Sequence, residues 1–210
     1  VRNNFKLKIP AQEEGSVSLH LLVPQDLVYE VRLSSYNGSL GIGNLKATTI
    51  NVETVNGSTK LRDVQGKLIQ GQNSNGSCEM SEVDAENIRH RISNGSYRLS
   101  IAAQDVDCLA TNGSMHVRVS KLTGDSSYKL RTTNGSIRVA VPTEPDLGVA
   151  LDLSTSVGRA SAELGPLEMT KQERTGGGNV LAGRSLDFEQ KAKKLTLRAS
   201  TTSGSISVGC

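Results

Sequence analysis

The sequence predicts an all-β, single-domain solenoid: a β-helix-like stack of rungs about 19 residues long, with capping strands at both ends. Three observations point there. The tripeptide Asn-Gly-Ser recurs at Asn37, Asn56, Asn75, Asn94, Asn112 and Asn134, with gaps of 19, 19, 19, 18 and 22 residues. Apolar and polar residues alternate on both sides of every copy. Aromatic residues make up 3% of the 210 residues and Trp is absent, which suits a thin core of Val, Ile and Leu. A stacked repeat offers long regular surfaces, which favours recognition or scaffolding over chemistry in a pocket.

Residues 1–30 are expected to cap the first rung. Phe5–Pro10 and Val17–Val23 read as strands, with Ala11–Ser16 as the turn between them. Val1 is not a start methionine, so the chain reads as a processed or excised piece; it opens on no signal peptide and has no apolar run of membrane-spanning length.

Residues 31–141 form the repeat proper. Three positions after each Asn stand Leu40, Thr59, Cys78, Tyr97, Met115 and Ile137. Five after it stand Ile42, Leu61, Met80, Leu99, Val117 and Val139. Before the Asn, the apolar positions are Val31, Ile50, Ile69, Ile88, Val106 and Tyr128 at six back. Leu33, Val52, Gly71, His90, Cys108 and Leu130 stand at four back. This period-two alternation is that of half-buried strands. Asn-Gly tolerates positive φ cheaply, so Asn37-Gly38, Asn56-Gly57, Asn75-Gly76, Asn94-Gly95, Asn112-Gly113 and Asn134-Gly135 read as corners. A further apolar set, Leu45, Val64 and Val83, recurs with the same spacing on the far side of the unit. It favours one rung per repeat. A meander of hairpins with the same corners is the alternative.

Residues 142–210 depart from the rhythm. Leu147, Val149, Leu151 and Leu153 alternate into a degenerate corner at Thr155–Gly158. Thr175–Asn179 is a loop or tight bend. Leu195, Leu197 and Ala199 alternate into Thr202–Ser205, and Ile206 and Val208 follow. The region reads as the same sheet system, finishing with wider strands and a closing hairpin over the open end. Glu189–Lys194 reads as an exposed turn rather than a helix.

Chemistry is sparse. His20, His90 and His116 fall in unrelated columns, and no His/Cys/Asp cluster has metal-ligand spacing. The glycines at Gly176–Gly178 lack the Gly-Lys-Ser/Thr of a phosphate loop. Cys78 and Cys108 point inward from different columns, so no bridge between them is expected, and Cys210 is terminal. No cofactor is implied. Twenty-four basic and 21 acidic residues leave a net charge of +3, too balanced to imply a nucleic-acid partner. Arg89, His90, Arg91 and Arg98 crowd one repeat, which reads as a solvated strand face before an anion site.

Between the two inward columns lies an outward one: Lys60, Glu79, Arg98, His116 and Arg138, one per rung. A ladder of alternating charge is the plain reading. As a binding surface, it would meet an acidic glycan or wall polymer. The Asn-Gly-Ser triplets also match the N-glycosylation pattern, though their periodicity marks them as corners first.

The chain resembles a bacterial domain family of unknown function that carries an adhesin label. The resemblance rests on Val23-Pro24 before the repeats, the serial Asn-Gly-Ser corners, and Val141-Pro142 after them. The Gly176–Gly178 bend and the terminal Thr-Ser-Gly-Ser-Ile-Ser-Val complete it. It implies a β-solenoid tied to the bacterial cell envelope, with no active site to carry over; some relatives are similar to envelope-stress regulators.

The reading is therefore a non-enzymatic, extracytoplasmic recognition domain that binds a surface glycan, wall polymer or protein partner. Nucleic acid is not expected, and any membrane link would run through segments outside this chain. Alternatives are a cytoplasmic or regulatory placement, a self-associating scaffold and a carbohydrate-active β-helix enzyme.

Overall fold

The structure is a computed structural model that describes residues 20–210. The expected Phe5–Pro10 strand, the Ala11–Ser16 turn and the start of the Val17–Val23 strand lie outside these residues. Residues 20–24 are not strand, so the described part of that second strand departs from expectation.

Among the described residues, all of the strands belong to one 14-stranded sheet system. Strands β1 (Tyr29–Asn37), β2 (Leu40–Asn56), β3 (Thr59–Asn75), β4 (Cys78–Asn94) and β5 (Tyr97–Asn112) follow one another in space. Every neighbouring pair is parallel. Parallel pairing with one rung per repeat is a solenoid and excludes the hairpin meander, whose neighbours would be antiparallel.

Asn-Gly-Ser turns the chain because its backbone is bound to the neighbouring rung. The Gly57 amide donates to the Asn75 carbonyl at 2.9 Å, and the Thr59 amide to the Ser77 carbonyl at 2.9 Å. Side chains repeat the pattern. The Asn75 amide nitrogen donates to the Asn56 Oδ1 at 2.9 Å, and the Ser77 backbone amide to the Ser58 Oγ at 3.2 Å. The glycines are needed because the rungs touch: a Cβ on Gly95 would lie 2.2 Å from the Gly76 carbonyl oxygen, at a φ of +149°.

A second bend is built from non-glycine residues in the left-handed region, Asn44, Asp63 and Glu82, with φ of 52–55°. This bend explains the irregular gaps. In the 18-residue repeat that residue is missing, and the register between β4 and β5 shifts between Met80 and Val83. The 22-residue repeat instead opens into a loop between β6 (Met115–Val119) and β7 (Ser126–Asn134).

Core residues come from the inward columns. Ile50, Ile69, Ile88, Met115, Leu130 and Ile137 are fully buried. Cys78 and Cys108 lie inside as free thiols, and Cys210 is exposed and free.

Beyond β8 (Ile137–Ala140), spatial order and chain order part. The chain makes β9 (Leu147–Val157) and β10 (Ala160–Glu163), then the hairpin β11 (Leu167–Thr175) and β12 (Gly178–Ser185). The hairpin packs antiparallel on the outer side of β9. A single 3-10 turn, Phe188–Gln190, precedes β13 (Lys193–Ser203) and β14 (Ile206–Gly209). The closing hairpin is thus β11–β12. The last strands in sequence insert as a rung, with β13 between β7 and β9 and β14 between β8 and β10.

Candidate functional site

The face carrying the charged column is formed by the first segments of β2–β5 together with β6, β8, β14 and β10. Outward positions on it form two columns. The first runs Gly41, Lys60, Glu79, Arg98, His116, Arg138 and Ser207, each paired in register with the next. The structure thus brings all five candidate residues into one line. Two residues further along, Ser100, Arg118 and Ala140 form part of the second column. Arg62 stands in the same column beside Ser81.

Neighbouring rungs are about 4.8 Å apart, and outward positions along a strand about 7 Å. Arg98, His116, Arg138 and Arg118 therefore form a compact cluster, and all four are exposed. At one end of the line, Lys60 and Glu79 satisfy each other at 3.5 Å. Among the described residues, none of the three arginines in the cluster has a carboxylate within ion-pair distance. The alternating ladder thus runs through Lys60, Glu79 and Arg98, with an ion pair at Lys60–Glu79; beyond Glu79 the charged residues of this column are all basic, and Glu163 on β10 is the acidic residue further along the face. Arg118 escaped the sequence reading, although it sits two residues after His116 with the same outward parity.

The crowd of Arg89, His90, Arg91 and Arg98 is taken apart. Arg89 and Arg91 stand exposed on a different face, above Gln70 and Gln72. They border an open groove of about 320 Å³ with Asn51, Glu53 and Asp107. His90 points inward, with 1% of its surface exposed. Gly71 on the neighbouring rung makes room for it: a Cβ there would lie 2.8 Å from the His90 Cδ2. The Tyr97 hydroxyl donates to the Leu109 carbonyl at 3.1 Å, so His90 Nδ1, 3.1 Å from that hydroxyl, carries the hydrogen of their bond. His90 Nε2 is then a bare acceptor with no partner.

Burial favours the neutral imidazole and lowers the His90 pKa from 6.5 to about 4. Between those values the unfolded chain binds a proton that the folded one does not, so stability falls as pH drops through that range. The full effect is equivalent to about 3 kcal/mol. We expect His90→Leu to flatten the dependence of unfolding free energy on pH between about 4 and 6.5, as read from urea titrations. An unchanged slope would show that His90 is not buried neutral. The neighbouring thiols are unreactive by the same cause: burial, then the Asp107 charge, push Cys108 up to about 12, and burial first of all raises Cys78.

At the second bend, a hydrogen bond with the Asp63 carboxyl, then its charge, raise the Glu82 pKa. Among the described residues, no group of His, Cys, Asp and Glu is arranged to hold a metal ion. No helix there is long and apolar enough to cross a membrane.

What the arrangement offers is an exposed, in-register array of hydrogen-bond donors with fixed positive charge. A family model described as Toastrack DUF4097 matches residues 3–209. No curated protein and no solved structure matches the chain.

Proposed function

The chain belongs to the Toastrack DUF4097 family, and we propose that its solenoid is a non-catalytic recognition module that holds an extended polyanion across the rungs. One observation carries this reading: Arg98, Arg118 and Arg138 cluster around His116 on one face, and among the described residues none of the three is ion-paired, although Glu79 stands beside Arg98 in register. Guanidinium groups present forked donors that match phosphate and carboxylate oxygens. They stand exposed on paired parallel strands, so the fitting ligand is a polymer that lies along the face rather than a small molecule that needs enclosure.

Neither outward column of this face carries an aromatic side chain: Tyr97 and Tyr128 are buried, and the exposed Tyr36 lies on β1 before the Asn37 corner. Stacking platforms for single-stranded bases are therefore missing from this face. The ligand class is an acidic glycan or a phosphate-bearing wall polymer, the chemistry of a bacterial envelope. An adhesin-like, envelope-displayed role is part of the same proposal. Protease added to intact cells should reach the parent protein; protection until lysis would remove the envelope from the reading.

The direct test is binding of polyphosphate and polygalacturonate, with single-stranded DNA as the comparison, at several salt concentrations. Arg98→Glu combined with Arg138→Glu should weaken polymer binding at least tenfold and reduce its salt dependence. Arg89→Glu combined with Arg91→Glu, on the other face, should leave it unchanged. Equal loss in both double variants would show attraction to net charge alone and remove the site.

A further inference from the structure

The six Asn-Gly corners share one sequence but not one environment, and the difference points to chemistry at Asn37. Along the corner edge, each later Asn amide nitrogen donates to the Oδ1 of the corner before it, at 2.8–2.9 Å. Asn56, Asn75, Asn94 and Asn112 therefore hold two side-chain bonds each, and Asn134 keeps its donor bond to Asn112. Asn37 accepts from Asn56 through its Oδ1, but among the described residues its Nδ2 has no acceptor. The chain carries no Asn-Gly-Ser before it that could extend the ladder.

The glycine beside it also differs. A Cβ on Gly57, Gly76, Gly95, Gly113 or Gly135 would strike the glycine carbonyl of the preceding corner. Among the described residues, one on Gly38 would meet only the Ser35 hydroxyl, at 3.4 Å. Gly38 is exposed, whereas those five are half-buried. The Gly38 amide does donate to the Asn56 carbonyl at 2.9 Å, but every corner glycine makes that bond, so it slows all six alike. Among the described residues β1 is bonded to β2 alone. Opening this corner therefore disturbs one neighbour rather than two.

We infer that Asn37 is a self-modifying site, at which asparagine is converted to aspartate or isoaspartate without an enzyme. The Gly38 amide nitrogen, its proton taken by solvent base, bonds to Asn37 Cγ. The Cγ–Nδ2 bond breaks, and Nδ2 leaves as ammonia with a proton from water. The five-membered succinimide then takes up one water. Opening at one carbonyl gives aspartate; opening at the other gives isoaspartate, whose backbone runs through the former side chain. Glycine permits the attack because no side chain shields its nitrogen. The unbonded Nδ2 and the open space at Gly38 let the Asn37 side chain turn onto that nitrogen. From Asn56 to Asn112 the same turn breaks two ladder bonds beneath a covering carbonyl. The product is tolerated at this corner as well. An aspartate oxygen at position 37 still accepts from Asn56, whereas the change at Asn75 would remove the donor to Asn56 Oδ1 and set two oxygens together.

The test follows the full chain by mass spectrometry during storage in mildly alkaline buffer, both folded and unfolded in urea. Brief cleavage after Lys and Arg yields peptides 33–46, 92–98 and 132–138, each with one Asn-Gly pair, and fragment ions place the amide-to-acid mass gain. In the folded chain, Asn37 should convert roughly tenfold faster than Asn94, the effect of a missing side-chain bond and a single neighbouring rung. In urea the three corners should convert at similar rates, since all share Asn-Gly-Ser. Equal conversion in the folded chain, or a faster Asn94 or Asn134, would overturn the proposal. So would a preference for Asn37 that persists in urea, because the stack would then not be its cause.

Discussion

Gly95→Ala is expected to be among the most damaging single-methyl additions in this protein, costing on the order of 3 kcal/mol of unfolding free energy. The new Cβ would lie 2.2 Å from the Gly76 carbonyl oxygen and 3.1 Å from the Ser77 nitrogen, both backbone atoms that no rotamer change can move. The backbone there also holds φ +149°, where alanine is strained. Relief would require separating two rungs whose amides and carbonyls are bonded across the corner. Gly41→Ala is the control: nothing lies within 4 Å of its Cβ, so the change should stay within about 0.5 kcal/mol. Urea midpoints of the two variants decide it. Equal midpoints would mean that the rungs do not approach so closely at the corner.

Leu197→Ala is the second large effect, expected to cost about 3 kcal/mol. Leu197 lies in β13, the next-to-last strand of the described residues. Here it is fully buried, paired on one side with Tyr128 and on the other with Leu151. Truncating it opens a cavity in the middle of the stack, so the whole unfolding transition should move. Leu186→Ala, on the exposed segment between β12 and the 3-10 turn, should barely shift it. Should Leu197→Ala melt only the terminal strands and spare the main transition, the inserted position of β13 would be wrong.

Some of the stabilising chemistry was visible in part. The Thr two residues before the corner Asn, or its equivalent, turns inward at several corners and binds the neighbouring rung. Thr132, Thr155 and Thr201 donate to the carbonyls of Gly113, Gly204 and Gly135, each at 2.9 Å. Their recurrence two residues before the Asn, or its equivalent, was a signal. The reason for it was not, because the acceptor belongs to another rung. Likewise, Gly71 reads as a gap in an apolar column until His90 is seen lying beside it, 19 residues on.

The sequence by itself determined rung length, strand parity and the all-β solenoid class. All three follow from local rules: side-chain direction alternates with every residue, and a repeated unit stacks on its own copy. From parity alone, the outward line through Lys60, Glu79, Arg98, His116 and Arg138 could be written down. Only the tertiary structure decided which rung neighbours which. Backbone pairing is nearly indifferent to sequence, so a rung ending in Ser203-Gly204-Ser205 fits between the Asn134 and Val157 corners as readily as at the end of the stack. The same is true of charge. Whether four basic residues make an alternating ladder or an unopposed patch depends on which carboxylates the stack brings within reach, and past Glu79 it brings none into ion-pair range of the cluster's arginines.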